Sequence, residues 1–167
     1  MTTLEIMKKA KAASPLIARA DRAKKDSALL FMADELCGSA DKILKANEAD
    51  LADAKGQISD IMLDRLALST ERIEAMAQGV REVAQLPDPV GSVINELVRP
   101  NGLKIKKVSV PLGVVAIIYE NRPNVTSDAA ALCLKSGNAC VLRSGKLAWR
   151  SANEITAALK AGLEKAG

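Results

Sequence analysis

The sequence contains no histidine and only three aromatic residues, Phe31, Tyr119 and Trp149. Without histidine, the chain cannot form Ser-His or Cys-His catalytic pairs, nor zinc sites with histidine ligands. Three dispersed aromatics are too few to form a platform on which the bases of a nucleic acid stack. These absences exclude several common classes of hydrolase, metal site and single-strand binding module.

Long apolar runs are also missing, and no stretch approaches the roughly 20 residues that a membrane-spanning helix needs. The lysines near the N-terminus are not followed by an apolar block, so this segment lacks the pattern of a secretory signal. Three cysteines, Cys37, Cys133 and Cys140, cannot all pair within one chain. Reduced thiols in a cytoplasmic protein are the simpler expectation.

The charge balance is moderately basic, with 24 lysines and arginines against 20 acids and a net charge of +4. The lysines are dispersed among the acids and form no continuous basic face. Weak binding to nucleic acid is therefore permitted but not indicated, and an anionic small molecule suits the same charge. We expect neither a nucleic acid nor a membrane as the partner.

The 167 residues, of which 49% are hydrophobic, suffice for one domain with a core. The periodicity divides the chain into a helical part over 1–91, a β-hairpin over 92–110 and a βαβα segment over 113–167. No flexible linker separates these parts, so one packed domain is predicted.

The helical part begins with Thr3–Ala20, which is expected to be interrupted at Ser14-Pro15. Asp21 is a suitable N-cap for a second helix, and Gly38 is predicted to stop that helix. Asn47–Ala54 is predicted as a separate short helix. Another helix is predicted over 60–66, after Gly56.

The strongest helical pattern lies over Glu71–Gln85, where Thr70 is the expected N-cap. Apolar side chains recur there at intervals of three and four residues, which predicts one buried stripe. The stripe consists of Ile73, Met76, Ala77, Val80, Val83 and Ala84.

The hairpin is predicted from Ser92–Val98 and Leu103–Val110, which flank the turn residues Arg99-Pro100-Asn101-Gly102. In the second strand, the apolar alternation changes phase at Lys106-Lys107. A β-bulge at that point, or a strand that passes from one sheet to another, accounts for the change.

The third part predicts the start of an α/β fold with a parallel sheet. Gly113–Tyr119 is apolar throughout, as in a strand covered on both faces. Thr126 or Ser127 is the expected cap of the next helix, Gly137 its left-handed end, and Ala139–Arg143 the second parallel strand. A long final helix is predicted to turn three side chains inward: Ile155, Leu159 and Leu163.

Ligands of open α/β sheets bind beyond the carboxyl ends of the strands, which first directs attention to the loop at 120–124. Arg122 is a candidate for gripping a carboxylate or phosphate, and Asn124 for donating its amide to a developing oxyanion. Alternatively, Arg122 pairs with Glu120 and Asn124 caps a turn.

The second loop is the basic turn Arg143-Ser144-Gly145-Lys146, where a dinucleotide fold meets the adenosine ribose. Basic residues at this position accommodate a 2′-phosphate, so the pattern indicates NADPH rather than NADH. The alternative is a solvated basic turn. No G-x-G-x-x-G or Walker pattern supports a pyrophosphate cradle. Cys133 and Cys140 lie in apolar segments and are interpreted as structural thiols.

Several segments together resemble the γ-glutamyl phosphate reductase family of the aldehyde dehydrogenase superfamily. They are MLDRLALS at Met62–Ser69, DPVG at Asp88–Gly91, RPNGLKIKKVSVPLGVVAIIYE at Arg99–Glu120 and RPNVTSDAAALCLKSGNACVLRSGK at Arg122–Lys146. The resemblance implies the first βαβα part of a Rossmann-like cofactor domain with an incomplete sheet.

The same resemblance implies reduction of L-glutamyl 5-phosphate by NADPH to L-glutamate 5-semialdehyde, a step of proline biosynthesis. It places Arg143 and Lys146, which flank Ser144, at the NADP ribose and its phosphate. It places Asn124 near the oxyanion asparagine of the superfamily, with Asn121 as the alternative, and residues 92–110 in a homo-oligomer interface. Family members are longer and carry their nucleophilic cysteine beyond position 167. We therefore expect an N-terminal part that is inactive alone.

Two other interpretations stay open from the sequence. One is a non-catalytic module that binds nucleotide or associates with itself, for which the hairpin is the main support. The other is a basic helical protein that binds nucleic acid, which the dispersed lysines favour only weakly.

Overall fold

The computed structural model describes residues 2–167, and its elements follow the order of five helices, a hairpin and a βαβα unit. The helices of the first part are α1 (Thr3–Arg19), α2 (Arg22–Gly38), α3 (Ala40–Ala54), α4 (Asp60–Leu66) and α5 (Thr70–Gln85). The remaining elements are β1 (Val93–Val98), β2 (Lys104–Val108), β3 (Val114–Ile118), α6 (Asn124–Lys135), β4 (Ala139–Arg143), a 3-10 turn (Lys146–Ala148) and α7 (Trp149–Ala166). The α/β fold class with a small, incomplete parallel sheet is therefore confirmed.

The core is built around α2, which packs against both α5 and α7. Its central side chains, Leu29 and Leu36, are fully buried, and the predicted stripe of α5 faces them. All members of that stripe are buried except Val83, which is half-buried. On α7, Ile155 and Leu159 point inward as predicted, whereas Leu163 is 40% exposed and that prediction is wrong.

Helix α1 continues through Pro15, so the predicted interruption is wrong. The proline ring removes the backbone donor to the Lys11 carbonyl, but its fixed φ fits a helix, and Pro15 O accepts a hydrogen bond from Arg19 Nε at 3.0 Å. A capping box between Thr2 and Glu5 fixes the other end. Packing of α1 on β3 and β4 favours the continuous helix.

The ends of α2 and α5 agree only in part with the sequence signals. Asp21 Oδ1 accepts from Lys24 N at 2.8 Å, as expected of an N-cap. Gly38 stays in the helix, however, and Ser39 carries the turn into α3. The cap of α5 is Ser69 rather than Thr70, since Ser69 Oγ accepts from Arg72 N.

Asn47 lies inside α3, so the separate helix over Asn47–Ala54 is wrong. Its amide does not compete with the helix backbone, because other elements satisfy it. Asn47 Oδ1 accepts from Leu68 N at 2.8 Å, and Nδ2 donates to Leu66 O at 2.9 Å and Ser151 Oγ at 3.0 Å. A polar residue in mid-helix is thus stabilised by tertiary contacts.

The hairpin forms as predicted, with β1 antiparallel to β2, and every residue of both strands is exposed. Its register shifts between Val93 and Asn95, where one extra residue, Ile94, lies in β1. The sequence predicted either a bulge at Lys106-Lys107 or a strand that passes from one sheet to another. The irregularity is a bulge on the partner strand, opposite Lys107-Val108, so the predicted location was wrong.

Strands β3 and β4 pair in parallel, from Val114 with Ala139 to Ile118 with Arg143. The prediction that β3 is covered on both faces is wrong within residues 2–167, because Ile118 is 83% exposed. Gly137 connects α6 to β4 with φ +74°, and a Cβ there would lie 2.9 Å from Pro111 Cγ. The left-handed glycine is confirmed.

Helix α6 begins at Asn124, two residues before the predicted caps. Thr126 and Ser127 are fully buried inside its first turns. The Thr126 hydroxyl shares a 2.7 Å hydrogen bond with the Tyr119 hydroxyl, and Ser127 Oγ donates to Asn124 O. Both side chains are occupied by tertiary or local contacts, so neither caps the helix.

Candidate functional site

The two loops singled out in the sequence meet at the carboxyl ends of β3 and β4. Asn121, which follows β3, accepts a hydrogen bond on Oδ1 from the backbone N–H of Leu147 at 3.2 Å. Gly145 makes this approach possible, because a Cβ at that position would lie 2.1 Å from Asn121 Oδ1. The Asn121 side chain therefore fixes the first loop against the basic turn.

This contact also orients the amide of Asn121. Since the oxygen must face the Leu147 N–H, the nitrogen Nδ2 faces away from it. Among residues 2–167, no acceptor receives a hydrogen bond from this nitrogen. Asn121 thus presents a half-buried donor held in one orientation.

Asn124 has a different environment in the first turn of α6. Its Nδ2 donates to Asp128 Oδ2 at 3.2 Å, one helical turn further along. Partial burial raises the pKa of the Asp128 carboxyl above its ordinary value, and the hydrogen bond from Asn124 opposes that shift. Asn124 is exposed and its donor is engaged within the helix.

Arg122 is exposed and lines a groove of about 580 Å³. The suggested ion pair with Glu120 is not formed in the described part of the chain, where only the Arg122 backbone N–H reaches Glu120 O, at 2.9 Å. The groove lies between α4, α5 and the start of α6. It is lined by Asp64, Arg65, Ala67, Leu68, Arg72, Ala75, Met76, Arg122, Asn124 and Asp128.

In the basic turn, Arg143 ends β4 and is exposed, while its carbonyl accepts from Tyr119 N at 3.1 Å. Lys146 is also exposed and lines a separate cavity of about 180 Å³ together with Asp50, Asp53 and Arg150. Arg143 lies outside that cavity. Ser144, which lies between Arg143 and Lys146 in the sequence, is buried.

A buried aspartate that no sequence pattern marks, Asp50, holds the start of α7. Asp50 Oδ2 accepts from Ser151 N at 2.8 Å and from Ser151 Oγ at 2.7 Å, and Oδ1 accepts from Arg150 N at 3.3 Å. Helix α7 has no N-cap side chain of its own. Asp50 therefore caps α7 from α3, across 101 positions of sequence.

Cys133 on α6 and Cys140 on β4 are free thiols, and Cys37 is free and exposed. A hydrogen bond with Cys140 lowers the pKa of Cys133 to about 7. The same hydrogen bond and burial raise the pKa of Cys140. The described residues contain no cluster of acidic and cysteine side chains suited to a metal ion.

The chain is similar in sequence and in fold to known proteins. No protein-family model matches the chain. A γ-glutamyl phosphate reductase of Streptococcus pneumoniae strain Hungary19A-6 is 61% identical over 140 residues, which are 84% of this chain and 33% of the reductase. The γ-glutamyl phosphate reductase of Thermotoga maritima superposes with a TM-score of 0.93 at 39% identity, over 97% of this chain and 39% of that structure. The chain resembles the N-terminal third of a γ-glutamyl phosphate reductase.

More distant structures share the fold as well. A probable aldehyde dehydrogenase from Listeria monocytogenes superposes with a TM-score of 0.72 at 19% identity, over 98% of this chain and 34% of that structure. The fold is thus that of the N-terminal part of aldehyde dehydrogenases. The chain spans about one third of the length of the curated reductases that it matches. No helix within residues 2–167 is both long and apolar enough to cross a membrane.

Proposed function

We propose that the chain forms part of an NADPH-dependent reductase, a glutamate-5-semialdehyde dehydrogenase, that converts L-glutamyl 5-phosphate to L-glutamate 5-semialdehyde in proline biosynthesis. The observation that carries the proposal is the bond from Leu147 N to Asn121 Oδ1, which joins an oriented amide donor to a basic turn at one end of the sheet. Similarity to reductases over 84% of the chain supports the same activity.

For the cofactor, Arg143 and Lys146 are proposed to receive the 2′-phosphate of NADP. Both side chains are exposed, and neither forms an ion pair with a carboxylate in residues 2–167. Arg143 at the end of β4 and Lys146 three residues later each carry a charge without an ion pair, which suits a phosphate dianion. Buried Ser144 spaces them and is proposed to contact the ribose only through its backbone.

For the substrate, Asn121 suits the oxyanion role better than Asn124. Its Nδ2 is held in one direction and has no acceptor among the described residues, whereas the Asn124 amide donates to Asp128. A donor fixed before the reaction costs no reorganisation as negative charge develops on the substrate oxygen. Arg122 is proposed to attract the phosphate or a carboxylate of the substrate, and Asn124 to line its path.

The nucleophile of the reaction is proposed to lie outside this chain. Cys133 is buried and shares its hydrogen bond with Cys140, and neither has a histidine to activate it. We therefore infer that these thiols are structural and that the 167-residue chain does not reduce the substrate alone. The free state of the described cysteines is consistent with the cytoplasm as the expected compartment.

The hairpin favours self-association as a second, compatible role. Its strands carry several exposed apolar side chains, among them Ile94 and Ile105, at 61% and 47% exposure. We propose that residues 92–110 contact other copies in a homo-oligomer. Sedimentation velocity tests this: a stable dimer that dissociates in Ile94→Lys supports it, and a monomer at all concentrations contradicts it.

A titration with NADPH tests the main proposal. Weak binding is expected, and the double variant Arg143→Glu/Lys146→Glu is expected to abolish it, with NADH bound poorly by both proteins. The matched control reverses two exposed lysines on α1, Lys8→Glu/Lys11→Glu, and is expected to bind NADPH as the parent does. Equal affinity in the double variant and the parent removes the cofactor assignment. A dimer without any NADPH binding supports the non-catalytic module instead.

A further inference from the structure

We propose that the groove between α4, α5 and the start of α6 binds the α-amino acid end of the substrate. In this assignment, Arg65 and Arg122 hold the α-carboxylate and Asp128 holds the α-ammonium. The inference rests on the proposed function, which supplies a substrate with a glutamyl group, and extends it to a part of the fold that the sequence did not connect with Arg122.

Arg72 is excluded from this role because its guanidinium is already engaged. Its NH2 donates to Asp64 Oδ1 at 2.8 Å, and its NH1 donates to Ala67 O at 2.7 Å. This ion pair also compensates the charge of Asp64. The remaining charged side chains that line the groove are Arg65, Arg122 and Asp128.

Arg65 and Arg122 are exposed, and within residues 2–167 neither forms an ion pair. They lie on different elements, α4 and the loop after β3, but line the same groove. A guanidinium presents its N–H groups as a planar fork that matches a carboxylate. Two such groups in one groove make it a site for an anionic group.

Asp128 supplies the opposite charge. Only its Oδ2 is engaged, by the amide of Asn124 at 3.2 Å, and Oδ1 receives no hydrogen bond from the described residues. Partial burial raises the pKa of this carboxyl, so the ionised form lacks a sufficient partner. An ammonium group at this place provides that partner, which a simple dicarboxylate cannot do.

Part of the lining of the groove is apolar and suits the methylene chain of a glutamyl group. It is formed by Ala67, Leu68, Ala75 and Met76. A groove of about 580 Å³ with cations, an anion and an apolar wall is complementary to an amino acid with an aliphatic side chain. Asn121 and its oriented amide adjoin Arg122 in the sequence, so the carbonyl to be reduced lies beyond the groove.

The test is an NMR titration of the ¹⁵N-labelled 167-residue chain without cofactor, using L-glutamate, glutarate and 4-aminobutyrate as probes. Glutarate lacks the α-amino group, and 4-aminobutyrate lacks the α-carboxylate. L-glutamate is expected to bind with a Kd on the order of 1 mM and to shift signals in residues 64–76 and 122–128. The other two probes are expected to bind at least about fivefold more weakly.

Variants separate the two charges of the ligand. Asp128→Asn is expected to weaken L-glutamate about tenfold and leave glutarate unchanged, because only glutamate carries the ammonium. Arg65→Gln is expected to weaken both. The control Arg99→Gln, at the exposed hairpin turn, is expected to change neither. All variants alter exposed side chains, and the dispersion of the NMR spectrum verifies that each folds.

Equal binding of glutarate and L-glutamate would overturn the proposal, as would equal losses for both probes in Asp128→Asn. The absence of saturable binding up to about 50 mM L-glutamate would overturn it as well. These outcomes are independent of the NADPH titration. Failure there removes the cofactor assignment, whereas failure here removes only the amino-acid groove.

Discussion

Asn121 and Leu147 are joined by a 3.2 Å hydrogen bond between a side-chain oxygen and a backbone N–H that are 26 positions apart. The bond connects the loop after β3 with the turn after β4, and it depends on the absence of a side chain at Gly145. An oriented donor and a basic turn are consequently one structural unit. A change in either loop is therefore expected to alter the position of the other.

Gly145→Ala is expected to break this unit. Its Cβ would lie 2.1 Å from Asn121 Oδ1, so one of the two loops must move, at a cost of about 1–3 kcal/mol in unfolding free energy. NADPH affinity should fall with it. Chemical denaturation and the same NADPH titration measure both effects.

The matched control is Gly79→Ala in the middle of α5, where an added Cβ meets nothing within 4 Å. That change should stabilise the chain by up to about 1 kcal/mol, because alanine favours a helix over glycine. A Gly145→Ala protein as stable as the parent would show that the two loops are not coupled.

Asp50→Ala is expected to lower the unfolding free energy by about 3 kcal/mol. The change removes the acceptor of Ser151 N and Ser151 Oγ in a buried place at the start of α7. Urea denaturation measures the loss. Asp53→Ala is the control, since exposed Asp53 contributes only its ion pair with Arg150 and should cost less than about 1 kcal/mol. Similar losses in both variants would contradict the capping role.

Acid should weaken the contact between Lys25 and Asp88, whose charged atoms are 2.5 Å apart. Burial alone would raise the pKa of Asp88, but hydrogen bonds from Lys25 and Val90 N and the charges of Lys25 and Lys135 lower it below its ordinary 3.8. The folded protein therefore binds fewer protons than the unfolded chain as pH falls through this range. The stabilisation is complete above about pH 4 and is lost as pH falls through the lower, folded pKa.

The variant Asp88→Asn tests the direction of this pH dependence. At pH 7 it should be less stable than the parent by about 3 kcal/mol, because it leaves the ammonium of Lys25 buried without a counter-charge. The difference should shrink as pH falls below about 4, where the parent also loses its carboxylate. Thermal denaturation from pH 7 to pH 2 measures it, with Asp34→Asn at an exposed ion pair as the control. A constant difference across this range would contradict the assignment.

Alkylation should distinguish Cys37 from Cys133. Iodoacetamide at pH 8 is expected to modify exposed Cys37 first, while Cys133, only 7% exposed, reacts only in denaturant. Burial is expected to outweigh the lowered pKa of Cys133, since the reagent must reach the sulfur. Mass spectrometry of peptides gives the order. Equal rates for Cys37 and Cys133 would instead show a reactive thiol.

The parts of the fold that the sequence predicted well have local causes. The Asp21 cap, the bounds of α4 and β4, and the left-handed Gly137 all follow from residues within one turn or one strand. The buried stripe of α5 follows from helical periodicity. Errors arose where distant residues decide: Asn47 stays helical through bonds to Leu68 and Ser151, and α1 continues through Pro15 while packed on β3 and β4.

In the candidate site, too, local sequence patterns predicted some parts and missed those that depend on distant residues. Strand order alone indicated the ends of β3 and β4, which the structure brings together through Asn121 and Leu147. The preference for Asn121 over Asn124 required the hydrogen-bond partners of each side-chain amide. The capping by Asp50 and the groove shared by Arg65 and Arg122 join positions far apart in sequence, and no local pattern marks them.

The composition of the hairpin has a consequence for how further strands join it. Both β1 and β2 are edges of a two-stranded sheet, but β2 carries three lysines in five residues, whereas β1 carries a single charge, Glu96. Lysines on an edge repel an incoming strand through their charge and hydration. Any strand that extends this sheet is therefore directed to the β1 side, which makes growth of the sheet one-directional.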